Sequence, residues 1–240
     1  MDEGPTEFDA MTQMLWSPPR LRTRGPKPAH SAEAVVAAGI KIADAEGLAA
    51  VTMQRVGQQL GLTKMALYRY VPSRKALVAA MTDRAFGLPP TIDVQSGWRH
   101  GLWLWAMAAY NIYLTHPWTL EATLGPRVIG PVEAAWTEAG LTVLASTPLS
   151  GAERLDVLVV TIGHARAIAE QFVGSEGGAA SGASAELHFI EGVKRNVGRY
   201  PEIARATAEV ESKGGAGNGL EFGLNCIFDG VALRIERQSP

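Results

Sequence analysis

With 240 residues and 47% hydrophobic content, the chain can bury the core of a small module and of a larger domain as well. No apolar run approaches the roughly 20 residues of a membrane span, and the acidic, polar opening MDEGPTEFD is no signal peptide, so a cytoplasmic protein is expected. Cys226 is the only cysteine, which excludes an internal disulfide and a cysteine-based zinc finger; it reads as a small buried residue of the last helix. The net charge of −2 conceals a segregation: residues 20 to 84 hold 11 Lys/Arg against 4 Asp/Glu, and the rest of the chain is acidic.

In chain order, residues 1 to 28 are Pro-rich and read as a mostly mobile arm, in which Phe8, Met11, Met14, Leu15 and Trp16 allow one amphipathic turn. Arg22, Arg24 and Lys27 end it, as cations that reach phosphates or a minor groove, or as a solvated linker. A first helix is predicted from Ser31, a cap residue, to Glu46, with Val35, Gly39, Ile42 and Ala43 buried and Gly47 ending it. Thr52 opens a second helix, where its hydroxyl caps, contacts a phosphate, or does both; Val56 and Leu60 hold that helix to the core. Leu60-Gly61-Leu62 then places a glycine where a helix must end in a left-handed residue. Thr63 caps the next helix, and Pro72 disfavours its continuation past Val71, which makes it about two turns long. Leu67, Tyr70 and Val71 are spaced to face inward, leaving Lys64, Met65, Tyr68 and Arg69 outward. Ser73 caps a fourth helix with Leu77, Met81 and Phe86 inward and Arg74 and Lys75 near its start. This is a helix-turn-helix pattern lying inside the basic segment.

Arg24-Gly25-Pro26-Lys27-Pro28, Ala43-Asp44-Ala45-Glu46-Gly47-Leu48, Leu60-Gly61-Leu62 and Leu67-Tyr68-Arg69-Tyr70-Val71 resemble the DNA-binding domain of the tetracycline repressor (TetR) family. The resemblance spans about residues 24 to 86, and the segment from Phe222-Gly223 to Ile235 is similar to the last helix of that family's ligand domain. It implies that Lys64, Met65, Ala66, Tyr68, Arg69 and Tyr70 lie at or near a major groove. Thr52, Gln54 and Arg74 would flank it; Lys75 lies with Arg74 beside the expected backbone, and Thr63 is counted among the DNA-binding candidates. By their chemistry, Lys64 and Arg69 donate to guanine or phosphate and Tyr68 to phosphate, while Met65 and Ala66 pack on a thymine methyl; Tyr70 is divided between groove and core. One such helix reads only a few base pairs, so a homodimer on palindromic double-stranded DNA is expected, with its reading helices roughly 34 Å apart.

After Pro89-Pro90 the composition changes to helical patterns with scattered tryptophans. A helix from about 96 to 115 is apolar nearly all round, as for a helix buried among others. Further helices are predicted near 130–139, 150–172, 185–198, 201–212 and 220–236. Thr161, His164, Ile168 and Gln171 recur at helical spacing and face a pocket, solvent or a dimer. Together with Trp105, Asn111, His116 and Trp136 they are the candidates for contact with a small-molecule effector, against the plainer reading of core or interface groups. Gly223, Ile227 and Gly230 make one face of the last helix small and apolar. The resemblance places this helix in a four-helix dimer interface, where Gly163 and Ala167 of an earlier helix would fit; packing within the chain is the alternative. No His/carboxylate grouping calls for a metal, and no cofactor is expected.

The sequence therefore predicts an all-α protein with three parts. These are an arm over 1–28, a three-helix helix-turn-helix domain over 29–88, and a helical ligand-binding and dimerisation domain over 89–240. The expected function is that of a sequence-specific transcriptional regulator, a repressor released from its operator by a small molecule. Two alternatives stand: control by a protein partner, and an enzyme using the tryptophan-rich domain. The second lacks a phosphate loop, a nucleophile elbow or an HExxH motif.

Overall fold

The computed structural model describes residues 6–17, 31–176, 188–212 and 218–238, with no strand among them. Arg22, Arg24 and Lys27 lie outside the described residues. The chain divides into two compact units, Met1–Thr147 and Pro148–Pro240.

In the first unit, α1 (Glu7–Trp16) is a full helix where the sequence allows one amphipathic turn. Thr6 and Asp9 form a reciprocal capping box, and Met11 is buried in a small cluster with Ala76 and Val128. Helices α2 (Ala32–Glu46), α3 (Met53–Leu60) and α5 (Arg74–Phe86) follow the sequence reading closely, and α4 (Lys64–Leu67) starts where that reading starts it but is shorter. Ser31, Thr52, Thr63 and Ser73 each accept a backbone amide three residues on. Such a cap contributes about 1 kcal/mol. Val35, Ile42, Val56, Leu67, Val71, Leu77 and Met81 form the core, each 2% exposed or less.

Trp118, which follows Pro89-Pro90 in sequence, also closes this core. It stands on α7 (Trp118–Ala122), a short helix with no periodic signal in the sequence. Its indole N–H donates to Asp44 Oδ1 at 2.7 Å, and His116 Nδ1 is 2.7 Å from the same oxygen.

Helix α6 (Trp98–Thr115) buries Gly101, Leu102, Trp105, Ala106, Ala109 and Tyr113, while Asn111 is exposed. It is thus buried on one stripe rather than all round, because it packs against partners on one side only within its unit. Helix α8 (Pro131–Val143) has no cap of its own. Asp83 of α5 supplies it, accepting from the amides of Val132 at 2.9 Å and Glu133 at 3.2 Å. Gly130 makes room, since a Cβ there would overlap the Asp83 carboxylate. Burial pushes the Asp83 carboxyl above the usual range, and the amides of Glu133 and Val132 pull it back in part.

The second unit contains α9 (Gly151–Glu176), α10 (188–195), α11 (Pro201–Ser212) and α12 (Gly219–Gln238). Helices α9 and α12 pack on each other, burying Val157, Leu158, Thr161, Ala165 and Ala169 on one and Leu220, Leu224, Phe228 and Val231 on the other. Cys226 is exposed on α12, contrary to its reading as a buried residue, because the buried stripe runs through 224, 228 and 231. No helix among the described residues is long and apolar enough to cross a membrane.

Candidate nucleic-acid interface

The turn between α3 and α4 is built from backbone hydrogen bonds. Gly61 adopts φ +66°, its amide donates to Gln58, and the Leu62 amide reaches back to Gly57 at 2.8 Å. This double bond pattern closes the carbonyl end of α3. Gly57 makes the pattern possible, since a Cβ there would lie 2.8 Å from the Leu62 carbonyl oxygen. Sequence reading identified Gly61 and passed over Gly57; the only signal was a second glycine four residues earlier, on the same helical face.

Thr63 then starts α4, whose regular helix ends at Leu67, shorter than the two turns predicted. Residues 68 to 70 tighten instead: the Tyr70 and Val71 amides both converge on the Leu67 carbonyl at 2.9 and 3.2 Å. Pro72 forces this by disfavouring helical backbone at Val71. Leu67 and Val71 are buried as predicted, and Tyr70 packs partly against the same core, which takes its ring toward the interior.

The outward face carries Lys64, Met65, Tyr68 and Arg69, all exposed, with Met65 at 77%. Among the described residues, the side chains of Lys64, Tyr68 and Arg69 form no hydrogen bond or ion pair with other residues. Ala66 is half-buried beside them, and Gln54 is exposed on α3. Thr52 and Thr63 use their hydroxyl oxygens as caps; each retains its O–H as a donor.

The flanking cations are arranged differently. Arg74 folds back onto its own module, donating Nε to the Val51 carbonyl at 2.6 Å and Nη2 to that of Leu48 at 2.8 Å, so it ties α5 to the α2–α3 connection. Lys75 pairs with Glu7 of α1 at 3.1 Å. That ammonium, then the Ser73 hydroxyl, holds the Glu7 carboxyl below its usual range. Arg55 pairs with Glu46. Lys64 and Arg69 are therefore the cations that α4 leaves available for an outside anion.

The effector candidates are divided between the two units. Trp105 and Trp136 are buried, with ring centroids 6.2 Å apart. Their N–H groups donate to the carbonyls of Trp136 and Gly87, which satisfies them inside the core. His116 is held by Asp44, and Asn111 is exposed. In the second unit, Thr161 is fully buried and donates to the Val157 carbonyl one turn back. His164 Nε2 lies 3.2 Å from the carbonyls of Gly219 and Leu220. Ile168 is half-buried near Gly219, and Gln171 is exposed.

Of the dimer candidates, Gly163, Ala167 and Gly230 are exposed and Ile227 is half-buried. Gly223 faces its own chain, where it accommodates the His164 ring. Exposed Leu155, Val159, Phe222 and Leu233 add to an apolar surface on the α9–α12 pair.

Comparison with known proteins agrees with this arrangement. Residues 35–81 match the model of the bacterial regulatory proteins of the tetR family, and residues 91–235 match the tetracyclin repressor-like C-terminal domain. The HTH-type transcriptional repressor DrrR1 of Streptomyces coeruleorubidus is 31% identical over 98% of this chain and 89% of its own length. A Mycobacterium tuberculosis HTH-type transcriptional repressor is 24% identical over 92% of this chain and 87% of its own length. Apo ActR from Streptomyces coelicolor shares the fold, with TM-score 0.72 and 17% identity over 89% of this chain and 100% of ActR. A possible TetR family transcriptional regulator from the same organism does so at TM-score 0.70 and 21% identity, over 85% and 99%. With the C-terminal model covering more than half of its residues and a relative of this identity matched along nearly its whole length, the chain belongs to the TetR family of bacterial regulatory proteins.

Proposed function

We propose that the chain is a homodimeric repressor whose α4 faces read a palindromic operator and whose helical domain, over 89–240, releases the DNA when it binds a small molecule. The observation that carries this reading is the outward row of Lys64, Met65, Tyr68 and Arg69 on a module whose other cations near α4 are already paired. Lys64 and Arg69 supply donors for guanine edges or phosphate, Tyr68 a hydroxyl for phosphate, and Met65 and Ala66 an apolar surface for a thymine methyl. Gln54, Thr52 and Thr63 flank that row, and Arg24 and Lys27 belong to the arm proposed to reach the neighbouring groove. Arg74 acts indirectly in this reading, by holding the module in shape.

Support for the repressor and effector parts comes from the relatives: DrrR1 is named as a repressor, and ActR, whose fold this chain shares, was solved with actinorhodin. Asn111 and Gln171, both with exposed polar ends, are the effector candidates to test first, each on its own. The exposed apolar surface of α9 and α12, including Gly163, Ala167 and Gly230, is the proposed dimer face, which the twofold operator requires.

Selection from random duplexes tests the reading. A palindrome should be enriched, and Arg69→Ala should then weaken binding to it by about 1–3 kcal/mol, with a salt slope shallower by about one if Arg69 contacts a phosphate. Equal, salt-driven binding to every duplex would overturn specific recognition. Screening aromatic amphiphiles against the selected duplex should yield a compound that lowers affinity; a set that binds the protein and leaves DNA affinity unchanged would remove the effector part.

A further inference from the structure

Helices α9 and α12 run antiparallel, and the polar ties along their apolar seam include two levels. At one end Glu153 accepts from Arg234 Nε at 2.7 Å and Gln238 Nε2 at 2.8 Å. About three turns further along α9, His164 Nε2 lies 3.2 Å from the carbonyl oxygens of Gly219 and Leu220, in the first turn of α12. Carbonyls only accept, so Nε2 carries the proton and shares it between the two oxygens. Gly223, one turn beyond Gly219, has no side chain at the point where the imidazole sits, and a Cβ there would overlap ring atoms Cε1 and Nε2. Such a Cβ would push the ring away from its present seat between the two carbonyls.

We propose that His164 is a positioning residue for dimerisation: its ring, seated on Gly223 and tied to the first turn of α12, pins the register and crossing of the α9–α12 pair. The surface built jointly by the two helices, with Val159 65% exposed on α9 and Phe222 73% exposed on α12, depends on that crossing. A second copy meets the same surface in a twofold arrangement, so an error in the crossing is felt on both sides. This inference rests on the dimer reading above, and it reassigns two residues. His164 leaves the effector candidates, and Gly223 acts through its own chain rather than by touching a partner.

The test is a double-substitution cycle on the full chain, comparing wild type, Gly223→Ala, His164→Ala and the double variant, with the dimer dissociation constant measured by sedimentation. Alanine raises helix propensity over glycine, so a loss in Gly223→Ala comes from the collision and not from the backbone. Gly223→Ala should raise the dissociation constant by about tenfold or more, as overpacking does. His164→Ala, which gives up both ties, should also raise it, and the double variant should be no weaker than His164→Ala, because the added Cβ then meets no ring. Wild-type dimerisation in Gly223→Ala or in His164→Ala, or fully additive losses in the double variant, would overturn the pin. If the wild type sediments as a monomer, the dimer reading fails separately, and the proposal with it loses its functional half. The pin itself is then read from the thermal midpoints of the same four proteins: a less than additive loss in the double variant supports it, and an additive one overturns it.

Discussion

Between Ser31 and Phe86 four helices start on Ser31, Thr52, Thr63 and Ser73, and each accepts an amide only three residues away. Helices α9 and α12 are instead joined by groups far apart in sequence, Glu153 with Arg234 and His164 with Gly219 and Leu220. The reading module is thus specified by short-range rules that leave few alternatives for its backbone. The α9–α12 pair takes its geometry from a few side chains whose removal should shift the crossing without unfolding either helix. That division suits a regulator in which the DNA-reading module keeps one shape and a separate helix pair carries the proposed assembly.

The comparison can be broken first at the core of the reading module. Leu67 is fully buried, and Leu67→Ala should cost about 2–5 kcal/mol in urea unfolding followed by far-UV circular dichroism. A smaller loss would mean that the module is held by its caps more than by its centre. Next, Gly57→Ala pushes a Cβ against the Leu62 carbonyl and should cost about 1–3 kcal/mol despite the better helix propensity of alanine. A stabilised Gly57→Ala protein would show that the turn has slack.

Asp83 sharpens the contrast, because it provides for α8 a cap that α8 does not carry itself. Asp83→Ala should cost about 1–3 kcal/mol through the amides of Val132 and Glu133 left without an acceptor. Asp83→Asn keeps an acceptor and loses a charge that burial disfavours. A carboxyl raised in the folded state contributes stability below its unfolded pKa of 3.8 and loses it as pH rises through the folded value. Asp83→Asn should therefore match or exceed the wild type at pH 7 in thermal melts, and the difference should shrink as pH falls toward 3.8.

The smallest expected effect belongs to Glu153, at the surface of the α9–α12 pair. The Ser150 amide and hydroxyl, then Arg234 and Gln238, hold its carboxyl down to about 2. A lowered carboxyl contributes stability above its unfolded value of 4.5, which is lost as pH falls through about 2. Melts recorded across that window should show an acid decline that Glu153→Gln flattens. An unchanged slope would mean that neither the Ser150 cap nor the ties to Arg234 and Gln238 contribute to stability.

Within the chain, legibility followed the range of the interaction. Ser31, Gly47, Thr52, Gly61, Thr63 and Ser73 act on their own neighbours, so their types and spacing announce the helix boundaries around them. Outward Lys64, Met65, Tyr68 and Arg69 were legible because period 3.6 separates them from Leu67 and Val71. Arg74 and Lys75 have the same charge and a similar place in sequence, yet the tertiary structure gives one to the carbonyls of Leu48 and Val51 and the other to Glu7.

By itself the sequence determined the all-α class, the helix-turn-helix, its buried and outward faces and the family, since these depend on local backbone chemistry and on which side of a helix is apolar. Only the tertiary structure decided that Trp118 completes the reader's core, that Asp83 caps α8, that Trp105 and Trp136 satisfy their N–H groups internally, and that His164 belongs to Gly223. Each of those depends on which distant groups meet, and one chain's hydrophobic pattern says that a face is buried without saying against what.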